Sequence, residues 1–300
     1  MSVSPTKILF CTDGSADADL GARAAVDLSK GFGAALHVVH VAEKLPPYPY
    51  PLGDPAAYSA VLEEQARKLL AQQVEEIGRL GSGVAGGHLR RGRPADEILA
   101  LAEEMDAGLL ILGSRGKGRI ERLLLGSVSE EVVHHASCPV LLVRGGEGAW
   151  PPRRVIFGDD GSGAARVAGD LGASVGGLFG ARGVLVRAYP RLPEVDLEGR
   201  AYDPRLVSDA MSRAERELRE RAKELQERLG ERPRVRLTVG EAAEALLEAA
   251  GEQDGEAALV AVGSRGLGAL ERLRLGSVST KVVRAAPGPV LVARERHLRA

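Results

Sequence analysis

Two segments of the chain hold the residues whose types and spacing could do chemistry: GSRGKGRIERLLLGSVS over 113–129 and GSRGLGALERLRLGSVS over 263–279. Both keep the spacing G-x2-G-x9-G-S, at Gly113, Gly116, Gly126 and Ser127 and again at Gly263, Gly266, Gly276 and Ser277. Glycines at these positions, with Gly118 and Gly268 beside them, bring backbone N–H groups against a ligand with no Cβ in the way. Successive N–H groups in such a loop form a nest for an anion. Each segment then opens a helix-like stretch at Ser127, Val128 and Ser129, or at Ser277, Val278 and Ser279. Ser127 or Ser129 suits the N-cap, with Glu130 and Glu131 in the first turn. A helix start offers unpaired N–H groups and the positive end of the helix dipole, which favour phosphate. The intervening residues are cationic: Arg115, Lys117, Arg119 and Arg122 against Glu121 in the first segment, Arg265, Arg272 and Arg274 against Glu271 in the second.

The pattern is not a Walker-type loop, because neither segment contains GxxxxGK[ST]. A literal GxGxxG over 81–86 follows a helical pattern and precedes a strand-like one, the reverse of the dinucleotide-binding context. No general base stands at a defined spacing from the loops. His134 and His135 lie beyond the first loop on the following helix and read as solvent-facing or packing residues, so no catalytic residue is assigned.

The elements that must position these segments also repeat. KILFCTDGS from Lys7 answers RVIFGDDGS from Arg154, AALHVVHVA from Ala34 answers ARGVLVRAY from Ala181, and PVLLVR from Pro139 answers PVLVAR from Pro289. A nearly constant offset over the whole length means one domain duplicated. The expected units are 1–145 and 154–296, with the Gly- and Pro-bearing stretch 146–153 as linker. In the first unit, strand-length apolar runs at Ile8–Cys11, Leu36–Val41, Gly87–Arg90, Leu109–Leu112 and Val140–Val143 alternate with longer amphipathic stretches. Leu62, Ala66, Leu69, Ile77 and Leu80 recur at helical spacing before Gly81, and Ala214, Leu218, Leu225 and Leu229 share one face in the second unit. Strands alternating with helices predict an α/β fold of parallel sheets covered on both faces. After the second strand of each unit, proline-rich pieces around Tyr48, Tyr50, Tyr58 and Tyr202 read as irregular, serving either as a lid or as ordinary surface loop.

With 40 basic against 41 acidic residues in 300, the charge balance gives no reason to expect nucleic acid or an anionic membrane as a partner. No apolar run reaches the length of a membrane span and the N-terminus lacks a signal-peptide pattern, so a cytoplasmic location is expected. Cys11 and Cys138 lack the paired spacing of a disulfide framework or zinc site and read as small core residues.

At the two glycine–serine segments the sequence resembles the universal stress protein family, as a tandem two-domain member of its ATP-binding subgroup, over nearly the whole chain. The resemblance implies two Rossmann-like, open parallel five-stranded sheets of the adenine nucleotide α-hydrolase kind, with first and fourth strands adjacent. It places Thr12 and Asp13, and Asp159 and Asp160, at adenine and ribose. Val41 and Ala188 then supply backbone contacts to adenine, and the glycine segments hold the phosphates of ATP, ADP or AMP with Mg²⁺. It also implies pairing of the last strands across the two copies as an intramolecular pseudo-dimer, and leaves room for a further homodimer. The expected function is nucleotide binding in a stress response. A slow ATPase, an autophosphorylating protein using Ser127 or Ser129, and a nucleotide-free scaffold are the alternatives. Two departures set the second copy apart: Asp159 stands where the first has Thr12, and would add a carboxylate beside a polyanion, hold Mg²⁺ or serve only to form the turn before Gly161, and the glycines of GASVGGLFGARG weaken its first helix.

Overall fold

The structure is a computed structural model that describes residues 4–43, 55–114, 125–146, 148–189, 204–252, 256–266 and 275–295. The first half runs β1 (Lys7–Cys11), α1 (Ala16–Phe32), β2 (Ala35–Glu43), α2 (Pro55–Arg79), β3 (Gly86–Gly92), α3 (Pro94–Glu104), β4 (Leu109–Gly113), α4 (Ser127–His135) and β5 (Val140–Val143). The second repeats it as β6 (Arg154–Gly158), α5 (Gly163–Leu178), β7 (Arg182–Tyr189), α6 (Pro204–Leu229), β8 (Arg234–Val239), α7 (Ala242–Gly251), β9 (Ala258–Gly263), α8 (Ser277–Ala285) and β10 (Val290–Ala293).

Each half is a five-stranded parallel unit with its first strand between its second and fourth: Ile8 lies beside Leu36 and Leu109, and Val155 beside Gly183 and Leu259. The halves meet at β5 and β10, which pair antiparallel with Leu291 opposite Leu141, so the order β3-β2-β1-β4-β5-β10-β9-β6-β7-β8 makes one ten-stranded sheet. Strands buried on both faces need cover on both. Leu28, Ile77, Leu171 and Leu218 of α1, α2, α5 and α6 close one face, while Ile98, Val132, Leu246 and Val282 of α3, α4, α7 and α8 close the other. Cys11 and Cys138 are buried in the second of these cores and form no disulfide, and burial pushes the Cys11 thiol well above its ordinary range.

Two local expectations change, and the connection between the halves takes a definite place. The irregular pieces end sooner than the prolines suggest, because α2 and α6 start at Pro55 and Pro204, the first-turn position where proline's missing N–H costs nothing. Tyr58 therefore falls on α2, while Tyr48, Tyr50 and Tyr202 lie outside the described residues. The glycines of α5 do not interrupt it: a Cβ at Gly172 would lie 2.8 Å from the Ala261 side chain and one at Gly176 2.7 Å from Leu229 and Val155, so close packing on β9 and α6 compensates for propensity. The connection between halves is pinned. Trp150 is buried, donates from its indole N–H to Asp27 of α1 at 2.9 Å, and meets the Phe179 ring edge-on with centroids 5.4 Å apart.

Candidate functional site

In both halves the crevice forms where the strand order reverses, at the carboxyl ends of the first and fourth strands, the usual ligand position in an open α/β sheet. Cys11 pairs with Leu112, so the turn through Thr12 and Asp13 emerges beside Gly113. The Asp13 carboxylate accepts from Ser15 N–H at 3.0 Å and the Thr12 hydroxyl accepts from Gly14 N–H at 3.1 Å, which folds the turn tightly before α1. Asp160 repeats the first bond with Ser162 N–H at 3.0 Å. Val41 and Ala188 sit two residues past the points where Thr12 N–H and Asp159 N–H donate to Val39 and Val186, and so line the same end of the sheet.

The glycine loops are closed at their necks by matching bonds. Gly126 N–H donates to Ser114 C=O at 2.8 Å and Gly276 N–H to Ser264 C=O at 2.7 Å; Ser129 Oγ donates to Gly113 C=O at 2.8 Å and Ser279 Oγ to Gly263 C=O at 2.6 Å. This corrects the capping expectation. The N-cap of α4 is Gly126 and that of α8 is Gly276, neither giving a side-chain cap, because Ser129 and Ser279 turn inward to the strand ends and Ser127 and Ser277 are the exposed first helical residues. The N–H groups of Ser127, Val128 and Ser129, and of Ser277, Val278 and Ser279, thus open the helices without a side-chain cap. The neighbouring helices α1 and α5 are instead capped by Ser15 and Ser162. A fit for phosphate follows from this contrast: each crevice holds one capped helix start and one open one.

Gly113 and Gly263 have a further reason to be glycine. A Cβ would stand 2.8 Å from the Asp17 carbonyl carbon in the first half and 2.6 Å from Ala165 N in the second, so they let α1 and α5 lie against β4 and β9. At Gly266 a Cβ would run into the Asp160 carboxylate, which brings loop and first-strand turn together. Ser162 Oγ also donates to Arg265 C=O at 3.2 Å, and Ser114 Oγ to Asp17 at 2.9 Å. Arg115, Gly116, Lys117, Gly118, Arg119, Glu121 and Arg122, with Gly268, Glu271, Arg272 and Arg274, lie outside the described residues.

Sequence reasoning missed the partners of the first-strand residues. Asp159, with its side chain 8% exposed, is held by Arg187, which also pairs with Glu217 at 2.9 Å. Burial works against the Arg187 charge, but its hydrogen bonds and attraction to Asp159 and Glu217 outweigh that and raise its pKa. The Asp159 charge is therefore met inside the protein. In the first half His40 replaces Arg187, its Nδ1 2.8 Å from Thr12 C=O, and Gln73 Oε1 accepts from the Thr12 hydroxyl at 3.2 Å. The pairs Thr12–His40 and Asp159–Arg187 change together, a signal the aligned repeats contained. The Glu295 carboxylate lies against Gly163 at the start of α5, where the first half has Gly145. His134 and His135 are at the far, C-terminal end of α4.

The fold and site define a tandem α/β protein of Rossmann-like type with one crevice per repeat. The sequence profile of the universal stress protein family matches residues 5–144 and again 152–294. The chain is 31% identical over 299 residues to universal stress proteins of Mycobacterium bovis and Mycobacterium tuberculosis, covering 96% of itself and 97% of each relative. It is 38% identical over 137 residues to one of Thermus aquaticus, covering 46% of itself and 97% of that protein. A crystal structure of a universal stress protein from Archaeoglobus fulgidus superposes with a TM-score of 0.68 at 23% identity, covering 97% of this chain and 98% of that one. The protein belongs to the universal stress protein family. No described helix is long and apolar enough to cross a membrane.

Proposed function

We propose that each repeat binds an adenine nucleotide, ATP with Mg²⁺ first among ATP, ADP and AMP, as a member of the family's ATP-binding subgroup, and that binding rather than turnover is its role in a cytoplasmic stress response. The observation that carries this reading is the duplicated crevice itself: an open helix start beside a glycine loop whose neck has the same hydrogen bonds in both halves. Thr12 and Asp13, or Asp159 and Asp160, would face adenine and ribose, and the backbone of Val41 or Ala188 would meet the adenine edge. Gly113, Arg115, Gly116, Gly118, Gly126, Ser127, Val128 and Ser129, and their second-half counterparts Gly263, Arg265, Gly266, Gly268, Gly276, Ser277, Val278 and Ser279, would surround the phosphates. Mg²⁺ would neutralise part of the polyphosphate charge. The buried hydroxyls of Ser129 and Ser279 are committed to strand-end carbonyls, which weighs against them as phosphate acceptors.

We take the repeats as 1–145 and 154–296, joined by 146–153, and the β5–β10 junction as the internal form of a two-domain pseudo-dimer. Protein purified without added nucleotide and then denatured should release adenine nucleotide on chromatography. Calorimetric titration of stripped protein with Mg-ATP should reach two per chain. Release of none together with no heat on titration would overturn the reading.

A further inference from the structure

The helix that opens each crevice ends on the other half of the molecule. Arg144, the residue after β5, is buried and donates from its guanidinium to Val283 C=O in the last turn of α8 at 2.6 Å. Arg294, the residue after β10, donates in return to Val133 C=O of α4 at 3.1 Å and to His134 C=O. A cation on the final carbonyls is the favourable partner for a helix C-terminus. Here each helix receives it from the opposite repeat.

Both arginines are also one residue from a loop neck. Ser114 N–H donates to Val143 C=O at 3.0 Å, and Ser264 N–H to Ala293 C=O at 2.7 Å. The bonds therefore close into a ring. From the α4 start, Gly126 leads to Ser114, Val143 and Arg144, which holds the α8 end; from the α8 start, Gly276 leads to Ser264, Ala293 and Arg294, which holds the α4 end. Arg284 of α8 adds an ion pair to Glu130 in the first turn of α4. Burial, and after it the like charge of Arg265, pull the Arg294 pKa down.

We infer that the two crevices are coupled through this ring, so that filling one orders the loop neck of the other and raises its affinity. The inference rests on the nucleotide-binding reading above. A ligand on the open start of α4 restrains that helix, and Arg294 passes the restraint to Ala293, Ser264 and the second loop. Part of the ordering cost of the second site is then already met when its ligand arrives. By linkage the effect is reciprocal, and a coupling of ordinary size is about fivefold or more in affinity.

The test uses the full chain with Gly266→Val, which removes the second site and leaves one Mg-ATP per chain by calorimetry. Amide hydrogen exchange should then slow on Mg-ATP addition not only at Ser127 to Ser129 but also at Ser264 and Gly276, in the half that cannot bind. Adding Arg294→Met, which opens one arm of the ring, should weaken the distant protection, most at Ser264, and keep the local protection. In the wild-type chain, the second binding step should be about fivefold tighter than the first. Protection confined to the binding half, or independent and equal sites, would overturn the coupling while leaving the binding reading intact; absence of both heat and local protection would instead overturn the reading. If Arg294→Met fails to fold by circular dichroism, the Gly266→Val exchange map and the wild-type titration still decide.

Discussion

At the scale of single residues, the two repeats differ in how they settle charge next to the crevice. Removing Arg187 would strand the Asp159 carboxylate, since loss of one partner of a buried pair leaves an uncompensated charge. We expect Arg187→His alone to destabilise the protein by about 1–3 kcal/mol in denaturant unfolding. Asp159→Thr with Arg187→His, which installs the first half's pair, should recover most of that loss; a double variant no better than the single one would show that the pairs are not interchangeable. The histidines give a second expectation. His37 Nδ1 and His88 Nε2 lie 3.1 Å apart, so at least one ring is neutral in the bond. Burial first, then His88 and Lys7 for His37, and burial first, then Arg90 for His88, hold both pKa values below 6.5. The unfolded chain therefore takes up these protons at higher pH than the folded one, and the stability tied to the neutral rings is present above about pH 6.5 and lost as pH falls through the folded values. Unfolding free energy measured from pH 7.5 to 5 should fall, and fall less steeply in His37→Gln with His88→Gln.

At the scale of elements, glycines that look alike in the sequence do different work. Gly263→Ala pushes a Cβ into the backbone of α5, and overpacking of this kind costs about 1–3 kcal/mol, so it should lower the thermal midpoint. Among the described residues a Cβ at Gly266 meets the Asp160 carboxylate alone, so Gly266→Val should leave the midpoint nearly unchanged while removing one nucleotide per chain. Reversal of that order would mean that the loop glycine serves the fold and the strand glycine the ligand. Strand order was an expectation only through the family resemblance, whereas the glycine–serine spacing marked the loops and the repeat marked the two units, because turn residues and periodicity are local signals. The N-cap was misread for the same reason. Serine is a strong local cap, and only the approach of β4 and β9 turns Ser129 and Ser279 away from that task. Arg187 and the helix α5 glycines were illegible singly, since their partners lie on α6 and β9 and on or just after β6, away from them in the sequence.

At the scale of the whole molecule, the halves share a sheet and a junction core, so they should unfold together. Leu291 is 1% exposed and faces Leu141 across the β5–β10 seam, and Trp150 is the single tryptophan, buried between α1 and Phe179. Its fluorescence therefore reports the junction, while far-ultraviolet circular dichroism reports all helices. In a cooperative molecule the two transitions coincide. Trp150→Ala removes a large buried ring and should cost about 3–5 kcal/mol, read by circular dichroism as one transition at lower denaturant. Leu291→Asp, a carboxylate forced into the seam, should lower the midpoint seen by both probes in step, since β9 and β4 each lose the support of the strand beside them. Two separated transitions in either variant would show that the connection at Trp150 and the paired strands join two independently stable domains.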